Sequence, residues 1–108
     1  MLVTLVRLPE LAEPLSNERA AEMFSENAAS YLDVPGLLFK AYLRAPDGSA
    51  TAGVYWWADR ASAEAKFNDG WFAGVTAKYG GEPVIEWFDA PVVVDPRSGE
   101  VVTEAPVP

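Results

Sequence analysis

Asn68 and Trp71 are the pair of side chains in this sequence best suited to act together on a small molecule. An asparagine amide can donate a hydrogen bond to a developing oxyanion, and an indole can clamp an aromatic ring or donate from its N–H. Phe24, Tyr31, Phe39, Trp56 and Phe67 supply rings that would wall an apolar, substrate-binding pocket. Lys40 and Arg44 could attract an anion, and Glu86 and Asp89, which flank Trp87, could offer a base if buried. Each also has a purely structural reading. Phe24, Phe39 and Phe67 fall at helix and strand spacings that fill a core, and Asn68 belongs to an Asn-Asp-Gly cluster of the kind that ends helices. The charged residues suit solvent or a subunit surface.

The residues that are missing narrow the chemistry further. With no histidine and no cysteine there is no imidazole base, no thiolate nucleophile, no disulfide framework and no His- or Cys-based metal site. Sixteen acids against eight bases leave a net charge of −8, a field that repels phosphate backbones and anionic membrane surfaces, so neither nucleic acid nor membrane is an expected partner. No Walker or dinucleotide-binding signature is present, and Gly80-Gly81 follow a helical segment rather than opening one. The N-terminal run MLVTLVRL is too short to span a bilayer and lacks the basic start of a signal peptide, which makes the cytoplasm the expected location.

The elements that must hold these residues can be read from periodicity. MLVTLVRL is a strand ended by Pro9, and residues 9–16 form a connection. Ser16 or Asn17 caps a helix over about 17–33, with Ala20, Ala21, Phe24, Ala28, Tyr31 and Leu32 on its buried face, closed by Pro35-Gly36. LLFKAYLRA and ATAGVYWWA flank PDGS as a hairpin. With Asp47-Gly48 at its tip, Phe39 meets Trp56, Ala41 meets Val54 and Leu43 meets Ala52. That wholly apolar face is expected to turn towards the helices. The other, carrying Leu38, Lys40, Tyr42, Arg44, Tyr55 and Trp57, is expected to meet a partner subunit.

Asp59 caps a second helix in which Ala63, Phe67 and Trp71 share a face. Phe72, Val75, Thr76 and Tyr79 form a stripe turned by about 140° from it, so a break is predicted at Asn68-Asp69-Gly70. PVIEWFDAPVVVD is a last strand bent near Pro91; VVVDPRSGEVVT could fold back as a hairpin or reach another subunit, and the final four residues read as a frayed end. The order strand, helix, strand, strand, helix, strand predicts a ferredoxin-like α+β domain, a four-stranded antiparallel sheet with helices on one face, over residues 1–94, followed by a tail at 95–108. One sheet face would remain uncovered, and a homodimer formed through it would remove that exposure.

The stretch from Val34 to Phe67 also resembles the YdhR-like monooxygenase family of the dimeric α+β barrel superfamily. The resemblance rests on Pro35-Gly36-Leu37, Phe39-Lys40, Gly53-Val54-Tyr55 and Asp59-Arg60-Ala61-Ser62-Ala63. It implies a homodimer with a hydrophobic pocket between helices and sheet in each subunit. It further implies oxygenation of an aromatic or polyketide-like small molecule by dioxygen without metal, flavin or haem, so no cofactor is expected. Some oxygenases of the superfamily use an asparagine-tryptophan pair, the role for which Asn68 and Trp71 are the candidates. Other members isomerise lactones, degrade haem or only bind, which keeps a ligand-binding dimer and an isomerase or lyase as alternatives.

Overall fold

The computed structural model describes residues 1–104. Four strands, β1 (Leu2–Arg7), β2 (Leu37–Arg44), β3 (Thr51–Trp57) and β4 (Val84–Asp89), form one antiparallel sheet in the order β2-β3-β1-β4. Three helices, α1 (Asn17–Ala28), α2 (Arg60–Lys66) and α3 (Asp69–Tyr79), lie against one side of it. The chain order and strand order together are the ferredoxin-like α+β arrangement expected from the sequence.

Local chemistry sets each element. The β2–β3 hairpin turns through Gly48 at φ 77°, with Asp47 Oδ1 accepting from Ser49 N at 2.9 Å, and the register pairs Phe39 with Trp56, Ala41 with Val54 and Leu43 with Ala52. An irregularity between Leu37 and Phe39 puts Leu37, not Leu38, opposite Trp57. Ser16 caps α1, Asp59 caps α2 and Asn68 caps α3, each accepting from a backbone N–H three residues on. The helix break falls at Phe67 and Asn68, where the apolar stripe changes phase. The first helix is shorter than its periodicity predicts. It passes at Ala29–Tyr31 into a 3-10 turn, whose tighter winding swings Leu32 out to 84% exposure.

The register agrees with expectation, but the faces are reversed. Tyr55 and Trp57 are the large buried side chains of β3, at 3% and 0% exposure, packed beneath the helices with Leu2, Val6, Ala63 and Phe67. Trp57 Nε1 donates to Thr4 Oγ1 at 3.0 Å, which satisfies the one polar atom of a fully enclosed indole. Phe67 stands edge-on to Tyr55 at 5.2 Å, Trp57 at 5.6 Å and Trp87 at 6.1 Å. Trp56 and Phe39, expected on the helix side, pack with their rings tilted at 41° and 5.2 Å apart on the opposite one, where Phe39 is 43% exposed. Apolarity could not orient this sheet because both of its faces carry large rings.

The outer face is almost without polarity. Val3 and Leu5 of β1, Val54 and Trp56 of β3, Phe39 and Leu43 of β2, and Phe88 of β4 lie on it, and its two charged residues, Arg7 and Glu86, pair with each other. Beyond β4, strands β5 (Val92–Asp95) and β6 (Glu100–Thr103) form a hairpin that pairs only with itself. It is tied to the sheet by Ala90 N donating to Met1 O at 2.8 Å and by an ion pair between the Met1 ammonium and Glu104. Val92, Val94 and Val101 on it are exposed, and it shares a shallow groove with Trp56. The final four residues, read as a frayed end, lie outside the described residues. Among the described residues no helix is long and apolar enough to cross a membrane.

Candidate active site

A cavity of about 280 Å³ opens between the inner face of β2–β3 and the roof made by α1, the 3-10 turn and α3. Strand parity builds its floor. Lys40 lies opposite Tyr55 and Tyr42 opposite Gly53, so a lysine and two tyrosines project into one space. Glycines make the room. A Cβ on Gly53 would come to 3.1 Å from the Tyr55 ring, whereas one on Gly74 of α3 would meet nothing within 4 Å.

Lys40 occupies the centre. Its Nζ lies 3.2 Å from the ring centroid of Tyr31, 3.9 Å from that of Tyr42 and 4.6 Å from that of Tyr55. Burial, and then the ammonium groups of Lys66 and Lys78, lower its pKa from 10.5 to about 7. The negative ring faces hold the protonated form in place without supplying a counter-charge, so the amine is poised to exchange a proton at neutral pH. Burial pushes the Tyr42 and Tyr55 phenols up, which keeps both neutral hydrogen-bonding groups. Tyr42 donates to Asn27 Oδ1 at 2.8 Å, and Trp71 Nε1 points at the Tyr31 hydroxyl at 3.4 Å. Lys66 Nζ stands 4.7 Å from the Tyr31 ring, and Lys78 approaches Glu26 at 3.8 Å.

The residues singled out from the sequence divide into three groups. Tyr31 and Trp71 line the cavity together. Phe24 stacks behind Tyr42 at 4.9 Å, and Phe67 is buried behind Trp71 and Tyr55, at 4.6 Å and 5.2 Å, so both support the wall from outside it. Phe39 and Trp56 stand on the far side of the sheet, a consequence of the reversed faces. Asn68 is exposed at the helix junction and is not among the lining residues. Its amide is engaged at both ends, accepting from Trp71 N at 2.9 Å and donating to Ala65 O at 3.1 Å. Arg44 donates to the Leu15 carbonyl, Glu86 pairs with Arg7 on the outer face, and Asp89 is exposed.

Sequence reasoning placed Lys40 and Tyr42 on a subunit surface and passed over Lys66, Lys78 and Tyr55 as parts of a site. One signal was available. The chain has only three lysines, and each adjoins an aromatic residue, as Phe39-Lys40, Lys66-Phe67 and Lys78-Tyr79. Among the described residues no three His, Cys, Asp or Glu side chains converge as a metal site.

No protein-family model matches the chain, and none of the curated proteins compared with it matches by sequence. Solved structures do match in shape. A monooxygenase from the gene ActVA-Orf6 of Streptomyces coelicolor, in complex with nanaomycin D, superposes with a TM-score of 0.65 at 19% identity, covering 88% of this chain and 91% of that one. SnoaB, a cofactor-independent oxygenase from Streptomyces nogalater, gives a TM-score of 0.58 at 20% identity over 82% of this chain and 91% of its own. At these identities the likeness establishes the fold alone, an α+β domain with a four-stranded antiparallel sheet.

Proposed function

We propose that this protein is a cofactor-independent monooxygenase that oxidises a hydrophobic, aromatic or polyketide-like molecule with dioxygen, and that it works as a homodimer. The observation that carries the reading is the Lys40 amine, near neutral in pKa and set under three tyrosine rings in an aromatic cavity. The fold adds support, because two proteins that share it are an oxygenase and a monooxygenase with a bound small molecule.

The chemistry follows from what such an amine can do. Neutral Lys40 takes a proton from an acidic methylene or phenol of the substrate, leaving a delocalised carbanion beside the ammonium it has just formed. That carbanion supplies the electrons that reduce dioxygen, and a carbon–oxygen bond forms. For an anthrone-like methylene, cleavage of the resulting O–O bond with loss of the second hydrogen gives the ketone and one water, which accounts for both oxygen atoms. Tyr31 and Trp71 pin the ring system and the neutral Tyr55 hydroxyl lies beside it, while Tyr42, whose proton goes to Asn27, helps to shape the wall. Asn68 acts at one remove as a positioning residue, capping the helix that carries Trp71. The homodimer would cover the apolar outer face, as the YdhR-like resemblance implies.

Oxygen uptake with a panel of anthrones and hydroxylated polycyclic aromatics tests this. Turnover is expected, with a pH–rate profile rising through about 7, and Lys40→Met should lower kcat/KM by about a hundredfold or more. Binding of the whole panel with no oxygen consumed would overturn the reading in favour of a ligand-binding dimer. Rearranged product at constant oxygen would overturn it in favour of an isomerase.

A further inference from the structure

All three lysines of the chain converge on this one cavity, Lys40 from β2, Lys66 from α2 and Lys78 from α3, and no aspartate or glutamate lines it. The arginines are distributed in the opposite way. Arg7 pairs with Glu86, Arg19 with Glu22 and Arg97 with Asp95, Arg44 holds the Leu15 carbonyl, and Arg60 covers the Trp87 ring at 4.9 Å. In a chain with twice as many acids as bases, counter-charges are plentiful, yet the lysine cluster receives a single one. Among the described residues that is Glu26, an exposed carboxylate reaching Lys78 from outside the lining at 3.8 Å. The chief neighbours of Lys40 and Lys66 are ring faces, which attract a cation but do not neutralise it.

Gathering like charges in a partly enclosed space is unfavourable, and after burial the ammonium groups of Lys66 and Lys78 add to the lowering of the Lys40 pKa. A protein with so many carboxylates could have removed that repulsion with one of them. We infer that the counter-charge is brought by the ligand: the cavity takes an aromatic molecule bearing a carboxylate, its rings against Tyr31 and Trp71 and its anion held by Lys66 and Lys78. Two helical lysines then fix the end of the molecule away from the reacting carbon, leaving Lys40 on the sheet for proton transfer. The cluster also overcomes the long-range repulsion that a net charge of −8 exerts on any anion, because cations lining a low-dielectric cleft focus the local field. This inference deepens the proposed function and rests on the same cavity being its site.

Calorimetric titration under anaerobic conditions separates the two. The probes are anthracene-2-carboxylate and its neutral carboxamide, on the wild-type chain and on Lys66→Gln, Lys78→Gln and the double variant. The acid should bind about tenfold or more tighter than the amide, the preference should shrink as salt rises, and it should vanish in the double variant. Lys66→Arg with Lys78→Arg should retain it, which excludes a general loss of folding as the cause. Equal affinities for acid and amide, no binding of either, or a preference that survives the double substitution would each overturn the carboxylate subsite. A clear acid preference without oxygen uptake by any aromatic acid would leave the subsite standing and remove the oxygenase. Rapid oxidation of neutral aromatics with no acid preference would do the reverse.

Discussion

The two faces of the β2–β3 hairpin are built the wrong way round for a simple globular domain. The face roofed by helices holds Lys40, Tyr42, Arg44, Tyr55 and Trp57, whereas the face left open holds Phe39, Ala41, Leu43, Val54 and Trp56. Burial of apolar surface alone would turn Phe39 and Leu43 of β2 inwards in place of Lys40 and Arg44. The inversion has a consistent explanation if each face does something beyond filling a core. The roofed side encloses a chemical cavity, where a lysine and phenols are useful because water is partly excluded. On the proposed homodimer the open side would be the surface that a second copy covers, where charge would be costly and where Arg7 and Glu86 pair with each other.

The largest test of this contrast acts on the open face. Phe88 is 50% exposed on the edge strand β4, so Phe88→Glu should leave the monomer folded by circular dichroism while placing a charge on the apolar face of the proposed interface. Light scattering should then report the 11.7 kDa chain in place of twice that mass. A wild-type chain that already scatters as a monomer would break the comparison at once.

A smaller effect probes the roofed face. Lys40 has a folded-state pKa of about 7 against an ordinary 10.5, so between those values the unfolded chain binds more protons than the native one. Stability must therefore climb as pH rises from about 7 towards 10, above which the raised tyrosine pKa values begin to act in the opposite sense. Thermal melts across that range should show the climb in the wild type and a flatter profile in Lys40→Met. An unchanged slope in the variant would mean that Lys40 is solvated and the cavity is not an enclosed site. The smallest effect sharpens the account of the cavity wall. Gly74→Ala adds a methyl group where nothing lies within 4 Å and removes a helical glycine, so it should raise stability by about 0.5–1 kcal/mol, a gain of about 4 °C in Tm. A loss of stability would show that the space beside α3 is already filled.

Particular residues show where legibility stopped. The Asp47-Gly48 turn fixed which residues of β2 and β3 lie opposite one another, and the change of stripe placed the helix break within Asn68-Asp69-Gly70, where Asn68 is the junction and Asp69 and Gly70 already belong to α3, because both signals are local. The same locality misled at Leu32, where a 3-10 turn replaced the last helical turn. For the site, Tyr31 and Trp71 were recognisable as rings on helices that meet the sheet. Lys40 was visible, with Arg44, as a cation in an otherwise apolar strand but was assigned to the wrong side. Lys66 and Lys78, 26 and 38 positions further along the chain, carry no mark of belonging with it beyond their rarity.

The amino-acid sequence by itself determined the order of elements, their caps, the hairpin register and the absence of histidine and thiol chemistry. Each of these follows from near neighbours or from composition. Tertiary structure alone decided which pleat of the sheet faces the helices, since one turn geometry and one register are compatible with either choice when both faces are aromatic. That choice brought three lysines from three elements into a single cavity, and their shared electrostatics exist only once the helices have docked.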